Sequence, residues 1–488
     1  MDNQTIISAN RKEILEGTLF RERAEYINPE NRKILGVTAR TKIVDYETYA
    51  GSVKVTLKTT FRMIYKNEDG SFGHDTVDVE QAETIISADL QPSTFLCMSA
   101  TVTDAKMIGG DPEATVLVSG WYIVENKLSL LNACIPGLQC KTGTIKAENV
   151  TKLMPGGLSL TYTDESRMNV KSLLDYCPEV TVSNVYPGNG SYRIEGDVYV
   201  RILAQSEDGQ CFGQLFSHTF STEVFDEKVT TNSDIDVDAT VKSAELSLAE
   251  GDKRLLITDI SLGFCGCGTE TVEAQTVTDA YSIRNEIDIK SEEKTVNECF
   301  CLRTLREKAS SRFIPENGIN ELFGVLSPCV SASFSINNGS FSIEGVIESD
   351  ILYLSGKDEF SGQKAETPFK ILLPIDYKCE SRMQPQIVVT NVNARLRNGK
   401  VDLLIELIIT VKGVSSKVLR VLSSVEIGAP KEEDDYAVCL YIVRKDETLW
   451  DVAKALNTSE EILLKQNSDV PLPLGGGERV ILYKELPF

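Results

Sequence analysis

Two pairs of cysteines, each separated by a single residue, have the clearest potential in this sequence to bind a metal. They are Cys265 with Cys267 and Cys299 with Cys301. Tetrahedral zinc sites favour about two to four residues between paired cysteines. The spacing therefore predicts free thiols, with zinc as the less favoured alternative, and we expect no metal or other cofactor.

The sequence contains no pattern of residues that is typical of a catalytic site. The chain has two histidines, His74 and His218, in comparable stretches that follow turns. Neither is accompanied by a cysteine or serine motif of the kind that nucleophilic catalysis uses. The sequence has no Gly-x-x-x-x-Gly-Lys motif for nucleotide phosphates. We therefore predict a protein that is not an enzyme, with both histidines at the surface or at strand edges.

Length and charge narrow the classes of partner. The chain has 488 residues and a formal net charge of −22, and this length suggests about three or four domains. So acidic a surface repels nucleic-acid phosphates and anionic lipid. We therefore expect no nucleic acid as a partner, and a basic patch on another protein would instead be attracted.

The N-terminal segment MDNQTIISANRKEILEG lacks the apolar core of a secretory signal. No apolar run in the sequence approaches the length of a membrane span. We therefore expect a cytoplasmic protein without membrane insertion. In that compartment most of the 12 cysteines are expected to be reduced and to act as small core residues.

An internal repeat organises most of the chain. NGSYRIEG from Asn189 recurs as NGSFSIEG from Asn338. A more divergent copy aligns FRMIYKNEDG from Phe61 with VRILAQSEDG from Val200, and the same shift places Val116–Val118 on Leu255–Ile257. Register held over so long a stretch indicates three true copies.

Each copy contains a segment in which apolar and polar residues alternate, as in a β-strand with one buried face. Turn residues follow two of these segments, NEDG at 67–70 and SEDG at 206–209. The fold is therefore predicted to be mainly β, with three sandwich-like modules at 1–165, 166–310 and 311–430. A short helix is predicted over 297–312. The alternating positions expected to be buried are Val53, Val55, Leu57, Phe61 and Met63; Tyr192, Ile194, Val198, Val200 and Ile202; and Phe341, Ile343, Ile347 and Ile351.

The pattern changes after residues 431–435, which are predicted to form an acidic linker. Between 436 and 488, CLYIV predicts a strand and RVILY a closing strand. Two capping signals predict helices between them, Thr448 with Asp451 and Thr458 with Glu461. In the second helix Ile462 and Leu463 are expected to face inward. The result is a small α+β unit with the order β-α-α-β.

This unit resembles a LysM domain, in which Tyr-x-Val-x-x-Gly-Asp-Thr-Leu-Trp precedes a helix and an Asn-rich second motif. Asp446-Glu447 replaces Gly-Asp, and Gly475-Gly476-Gly477 replaces the usual Pro-Gly turn. Both replacements fall in loops that line the glycan groove of the family, which argues against binding of N-acetylglucosamine. The matching positions are Tyr441, Val443, Thr448, Leu449, Trp450, Leu464 and Asn467, with Asn457 between the helices.

Three β-rich copies followed by a LysM-like unit resemble the SipL family of clostridial spore-coat morphogenetic proteins, whose repeats are called SPOCS domains. The resemblance covers essentially the whole chain. It implies a mother-cell scaffold that anchors the coat to the forespore by binding the coat-basement ATPase SpoIVA. A cell-wall protein that binds peptidoglycan or its precursor is the alternative. The resemblance places the binding residues in the LysM-like unit: Lys445, Asp446, Glu447, Thr448, Trp450, Ile462, Leu464 and Asn467. Of these, Trp450 fits either core packing or partner contact.

Overall fold

A computed structural model describes residues 4–29, 32–67, 71–132, 134–315, 317–337, 340–374, 382–432 and 437–483. For residues 299–302, 337 and 374 it describes the backbone alone. Strands dominate these ranges, which confirms the prediction of a mainly β fold. Along the chain to residue 131 they are β1 (Gln4–Ser8), β2 (Arg11–Arg23), β3 (Ile34–Tyr49), β4 (Ser52–Lys66), β5 (Phe72–Ile86), β6 (Leu96–Ile108), β7 (Asp111–Val124) and β8 (Lys127–Leu131).

The middle and last parts of the chain continue in the same manner. The middle part contains β9 (Gln139–Lys152), β10 (Gly156–Glu165), β11 (Val170–Pro187), β12 (Ser191–Ser206), β13 (Cys211–Phe225), β14 (Asp234–Leu248) and β15 (Leu255–Tyr281). The next part contains β16 (Asn285–Phe313), β17 (Ile319–Val325), β18 (Cys329–Asn337), β19 (Ser340–Ser355), β20 (Phe360–Pro374), β21 (Arg382–Arg397) and β22 (Lys400–Pro430). The chain ends with β23 (Val438–Ile442), α1 (Leu449–Ala455), α2 (Glu460–Gln466) and β24 (Arg479–Tyr483).

The same order of strand pairing occurs three times along the chain. We call the three sets of strands the first strand group (β2–β7), the second strand group (β10–β15) and the third strand group (β16–β22). One sheet of each group is built on a central strand of the meander: β3-β4-β5, β11-β12-β13, and β19 between β20 and the successive strands β17 and β18. In the other sheet the last strand of the group is central: β2-β7-β6, β10-β15-β14 and β16-β22-β21. The second strand group begins with β10, just before the predicted limit at 165, and the third begins with β16, which spans the predicted limit at 310.

The predicted alternation places apolar residues in three separate cores. All of the positions expected to be buried in β4, β12 and β19 are at most 4% exposed. In the first group, β4 packs against Val116 and Val118 of β7. Leu256 and Leu262 of β15 occupy the corresponding place in the second group, and Ile405 of β22 does so in the third. Period-2 burial in these strands is therefore confirmed.

The helix predicted over 297–312 is wrong. These residues belong to β16 and pair with β22 from Asn297, opposite Ser416, to Arg312, opposite Asp402. The mixed composition of the segment permits a helix, but β22 offers a partner strand along its whole length. Tertiary pairing of this kind overrides a weak local preference.

Turns between strands contain the residue types that favour turns, in the part of the chain that the structure describes. Gly209 closes the predicted turn at 206–209 with φ +86°, a backbone conformation that glycine adopts without a Cβ penalty. Asn398 and Gly399, with φ +51° and +72°, connect β21 to β22. In the other predicted turn, at 67–70, residues 68–70 lie outside the described residues.

Four charged side chains form a central ion cluster where the three strand groups meet. Lys12 comes from β2, Asp236 and Asp238 from β14, and Lys412 from β22. The Lys412 Nζ lies 2.6 Å from Asp236 and 2.7 Å from Asp238, and Lys12 also pairs with Asp236. The Trp121 Nε1 donates to Asp238 at 2.7 Å. The cluster therefore connects residues that are far apart in the chain.

The cysteines depart in one respect from the expectation of reduced thiols. Cys134 and Cys140 form a disulfide, with their Cα atoms 5.7 Å apart. Cys140 follows Cys134 by six positions in the chain, and β9 begins between them, so the chain turn itself brings the two thiols together. Among the free cysteines, Cys97, Cys177 and Cys267 are buried, as expected for small core residues.

Candidate functional site

The C-terminal unit, residues 437–483, contains all of the residues that the sequence nominated for binding. Its element order is β23-α1-α2-β24, and β23 pairs with β24. Thr448 caps α1 as predicted: its side chain accepts from the Asp451 N–H, and Asp451 accepts in return from the Thr448 N–H at 2.8 Å. Exchanges of this kind satisfy N–H groups that the first turn of a helix leaves free.

The cap predicted for the second helix is wrong by one residue. Ser459, not Thr458, is the N-cap of α2, and its side chain accepts from the Ile462 N–H. Thr458 is buried instead, and its carbonyl accepts a hydrogen bond from the Tyr281 hydroxyl at 2.7 Å. The residue predicted to start the helix therefore joins the unit to the end of β15.

The loop before α1 holds Lys445 and Asp446 in solvent. Both side chains are exposed, and Asp446 has φ +66°. The Glu447 side chain is only 19% exposed, and its carboxylate accepts from the Arg444 N–H at 2.8 Å and from the Tyr441 hydroxyl at 2.9 Å. Lys445 and Asp446 are therefore available to a partner, whereas the Glu447 carboxylate is occupied within the loop.

Trp450 faces β15 and not the solvent. Its side chain is buried, and its Nε1 donates to the Asp279 carboxylate at 2.7 Å. Its ring meets Tyr281 edge-on, with centroids 4.8 Å apart, while the Lys454 Nζ lies 2.8 Å from Asp279. Burial opposes the charge of Asp279, but hydrogen bonds from Lys454 and Trp450 hold the pKa of this carboxyl below its usual value. Of the two interpretations of Trp450, this geometry favours core packing.

The second helix presents two apolar residues to solvent. Ile462 and Leu464 are 41% and 43% exposed, while Leu463 between them is fully buried. The expectation that Ile462 faces inward is therefore wrong. Asn467 has a structural role, since its amide exchanges hydrogen bonds of 2.7 Å with both the N–H and the carbonyl of Ile481 in β24.

The three-glycine segment closes over the loop before α1. A Cβ at Gly476 would lie 3.0 Å from the Cα of Lys445, which is tighter than most real Cβ contacts. The Glu478 carboxylate accepts from the Gly475 and Gly476 N–H groups, each at 2.8 Å. The two loops at which the sequence departs from the LysM pattern therefore lie side by side, and the carboxylates of Glu447 and Glu478 accept hydrogen bonds from backbone N–H groups within them.

Sequence reasoning missed an exposed apolar face on the two-stranded β23–β24 sheet. Val438, Leu440 and Ile442 of β23 point away from the helices and are 54%, 56% and 61% exposed. Tyr483, opposite Val438, is 56% exposed. The signal was present, because the strand is apolar on both of its alternating faces instead of one.

The residues considered for chemistry lie apart from this unit. Burial raises the pKa of the Cys267 thiol to about 12, and the side chains of Cys299 and Cys301 lie outside the described residues. The described residues contain no group of three or more histidine, cysteine, aspartate or glutamate side chains placed to hold a metal. His218 lies 2.9 Å from Asp164 and stacks on Tyr162, whereas burial lowers the pKa of His74.

Compared with known proteins, this chain matches no family model, no curated protein and no solved structure. The helices were also compared with the length that a membrane span requires. Each of the two helices among the described residues has seven residues, which is too short for a membrane span.

The contact of Trp450 with Asp279 yields a testable expectation. Replacing Trp450 with phenylalanine keeps an aromatic ring beside Tyr281 but removes the Nε1 donor. A lost hydrogen bond to a charged group costs about 1.5–3 kcal/mol, so we expect backbone amides of α1 and α2 to exchange with solvent at least about tenfold faster. Hydrogen–deuterium exchange measures this directly. Lys465→Met, which breaks the exposed pair with Glu461, should leave exchange unchanged, and equal rates in both variants would contradict the anchoring role.

Proposed function

We propose that this chain is a non-catalytic scaffold that tethers the spore coat to the forespore surface by binding SpoIVA. The proposal includes the three sandwich-like modules and the LysM identity of the C-terminal unit, which the resemblance to the SipL family implies. Two observations support it: the pairing order shared by the three strand groups, and the order β23-α1-α2-β24. The place of action proposed is the mother-cell cytoplasm, at the basement layer of the coat.

The observation that carries the proposal is the apolar surface of the C-terminal unit. Leu440 and Ile442 on β23, with Ile462 and Leu464 on α2, are all more than one-third exposed. Exposed apolar side chains on so small a unit, here on the outer face of β23 and on α2, are characteristic of protein interfaces. Lys445 adds a positive charge there, although the chain as a whole carries −22.

The residues nominated for binding divide into two roles under this proposal. Lys445, Asp446, Ile462 and Leu464 are exposed and contact the partner. Trp450 and Asn467 act indirectly, because their polar groups are bonded within the chain. Glu447 and Thr448 shape the loop before α1 through their bonds to Arg444 and Asp451.

The test is a pull-down of SpoIVA by the full chain carrying Ile462→Asp and Leu464→Asp together. We expect affinity to fall at least about tenfold, because two apolar contacts are replaced by carboxylates that would be desolvated in the interface. Val418→Asp, on an exposed position of β22, is the matched control and should bind like the wild type. Wild-type affinity in the double variant would contradict this binding surface.

Fluorescent tagging of the full chain in sporulating cells separates the proposal from the cell-wall alternative. A shell around the forespore supports coat anchoring, and labelling of the vegetative wall supports peptidoglycan binding. A measured affinity of the full chain for peptidoglycan fragments would also count against the proposal that the LysM surface binds a protein instead of a glycan.

A further inference from the structure

A cavity of about 650 Å³ lies where the three strand groups meet. Its wall combines β2, β6 and β7 of the first group, β14 of the second, and β18, β21 and β22 of the third. Because all three groups contribute to it, the cavity depends on their assembly. Its volume falls within the range of about 300–1,000 Å³ that is typical of small-molecule sites.

Apolar side chains supply the larger part of the wall. Leu19 of β2 is 61% exposed and Phe334 of β18 is 50% exposed, so large apolar surfaces are left open to the cavity. Others in the wall are Met98, Leu117, Val330 and Ile387. A concave apolar surface contributed by several strands favours a ligand whose own surface is mainly apolar.

The charges at the base of the cavity already satisfy one another. The Lys412 Nζ donates to Asp236 and Asp238 and approaches the Val237 carbonyl at 3.4 Å. Asp238 also accepts from the Trp121 indole. A charged ligand would therefore lose its hydration here without gaining a free partner of opposite charge.

Two further charged residues line the cavity, and they are of opposite sign. Arg382 and Glu16 are both solvent-exposed, and Arg382 lies 3.4 Å from Glu13. The site as a whole thus has no excess of either charge. Neutral polar groups are present as well, in the hydroxyls of Ser99, Thr101 and Ser331.

We propose that this cavity binds an uncharged, mainly apolar small molecule that carries one or two hydrogen-bonding groups. The apolar body contacts Leu19, Leu117 and Phe334, and the hydroxyls of β6 and β18 receive the polar groups. Because the ligand contacts the first and third strand groups at once, it stabilises their arrangement by mass action.

The test uses Nile red, an uncharged apolar dye, titrated with the full chain. We expect saturable, blue-shifted fluorescence at one dye per chain. Thr101→Trp places an indole in the cavity from an exposed position on β6, and we expect it to weaken dye binding at least about tenfold. Thr84→Trp, exposed on the edge strand β5, is the matched control and should bind as the wild type does.

A second variant, Ser331→Trp, fills the cavity from β18 and provides the same test if Thr101→Trp misfolds. The anionic dye anilinonaphthalene sulfonate should bind at least about tenfold more weakly than Nile red. The proposal is overturned if the wild type shows no saturable uptake, or if folded cavity-filling variants keep wild-type affinity. Loss of binding in Thr84→Trp, or equal affinity for the two dyes, also contradicts it.

Discussion

Replacing Lys412 with methionine is expected to lower the free energy of unfolding by about 3–5 kcal/mol, the cost of breaking a buried ion pair from one side. Lys412 is 8% exposed, and its ammonium bonds both Asp236 and Asp238. Burial opposes these charges, but Lys12 and Lys412 hold the pKa of Asp236 below its usual range. The Asp236 carboxylate therefore stays ionised at neutral pH, and methionine leaves it with Lys12 as its remaining lysine partner among the described residues.

Urea unfolding at pH 7, followed by tryptophan fluorescence, measures this loss, because Trp121 bonds directly to Asp238. The matched control is Lys370→Met, which breaks a pair with Glu344 that is more than half exposed on both sides. Exposed pairs contribute about 0–1 kcal/mol. Adding Asp236→Asn to Lys412→Met should recover part of the loss, since one uncompensated charge is then removed. If Lys412→Met and Lys370→Met lowered the free energy of unfolding equally, the central ion cluster would not stabilise the contact between the strand groups.

The central ion cluster illustrates what a single sequence does not reveal. In the segment Ile235–Ala239 the apolar residues alternate with Asp236 and Asp238, and this pattern is typical of a strand with one solvated face. The apolar face does pack into the core of the second group. The aspartate face, however, meets β2 and β22, whose residues lie more than 170 positions away in the chain. Periodicity determines which residues share a face, and it carries no information about what covers that face.

Several features that depend only on neighbouring residues in the chain are, by contrast, predicted correctly from the sequence. The alternating segments of β4, β12 and β19 are strands with buried apolar faces, because period 2 is a property of consecutive residues. RVILY forms β24 at the predicted residues, and Thr448 caps α1 as its spacing to Asp451 predicts. These features need no knowledge of distant partners.

The C-terminal unit shows how a small local error changes a prediction about a site. Starting α2 at Thr458 instead of Ser459 shifts the helix by one residue, which corresponds to about 100° of rotation. That rotation is enough to change which residues face the core: Ile462 is exposed, whereas Leu463 is buried as expected. Trp450 was ambiguous for another reason: its partner Asp279 lies 171 residues earlier in the chain, where no local pattern signals the contact.

A buried carboxyl in the first strand group gives the second large expected effect. Glu22 of β2 is fully buried, and neither of its carboxylate oxygens has a hydrogen-bond partner among the described residues. Burial, with a smaller contribution from the charge of Glu83, raises the pKa of Glu22 to about 7. In the unfolded chain the pKa is about 4.3, so between these values the folded state holds a proton that the unfolded state releases. The contribution of Glu22 to the free energy of unfolding therefore falls as pH rises through this window and is constant above it.

Glu22→Gln should remove this pH dependence, because glutamine has no proton to lose. At pH 8 the variant is expected to be more stable than the wild type by about 2–3 kcal/mol, while near pH 4.5 the two should be nearly equal. Thermal unfolding at both pH values measures the difference. Glu80→Gln, at an exposed position of β5, serves as the matched control and should follow the wild-type profile. If the stability of Glu22→Gln runs parallel to that of the wild type from pH 4.5 to 8, Glu22 does not hold its proton in the folded state.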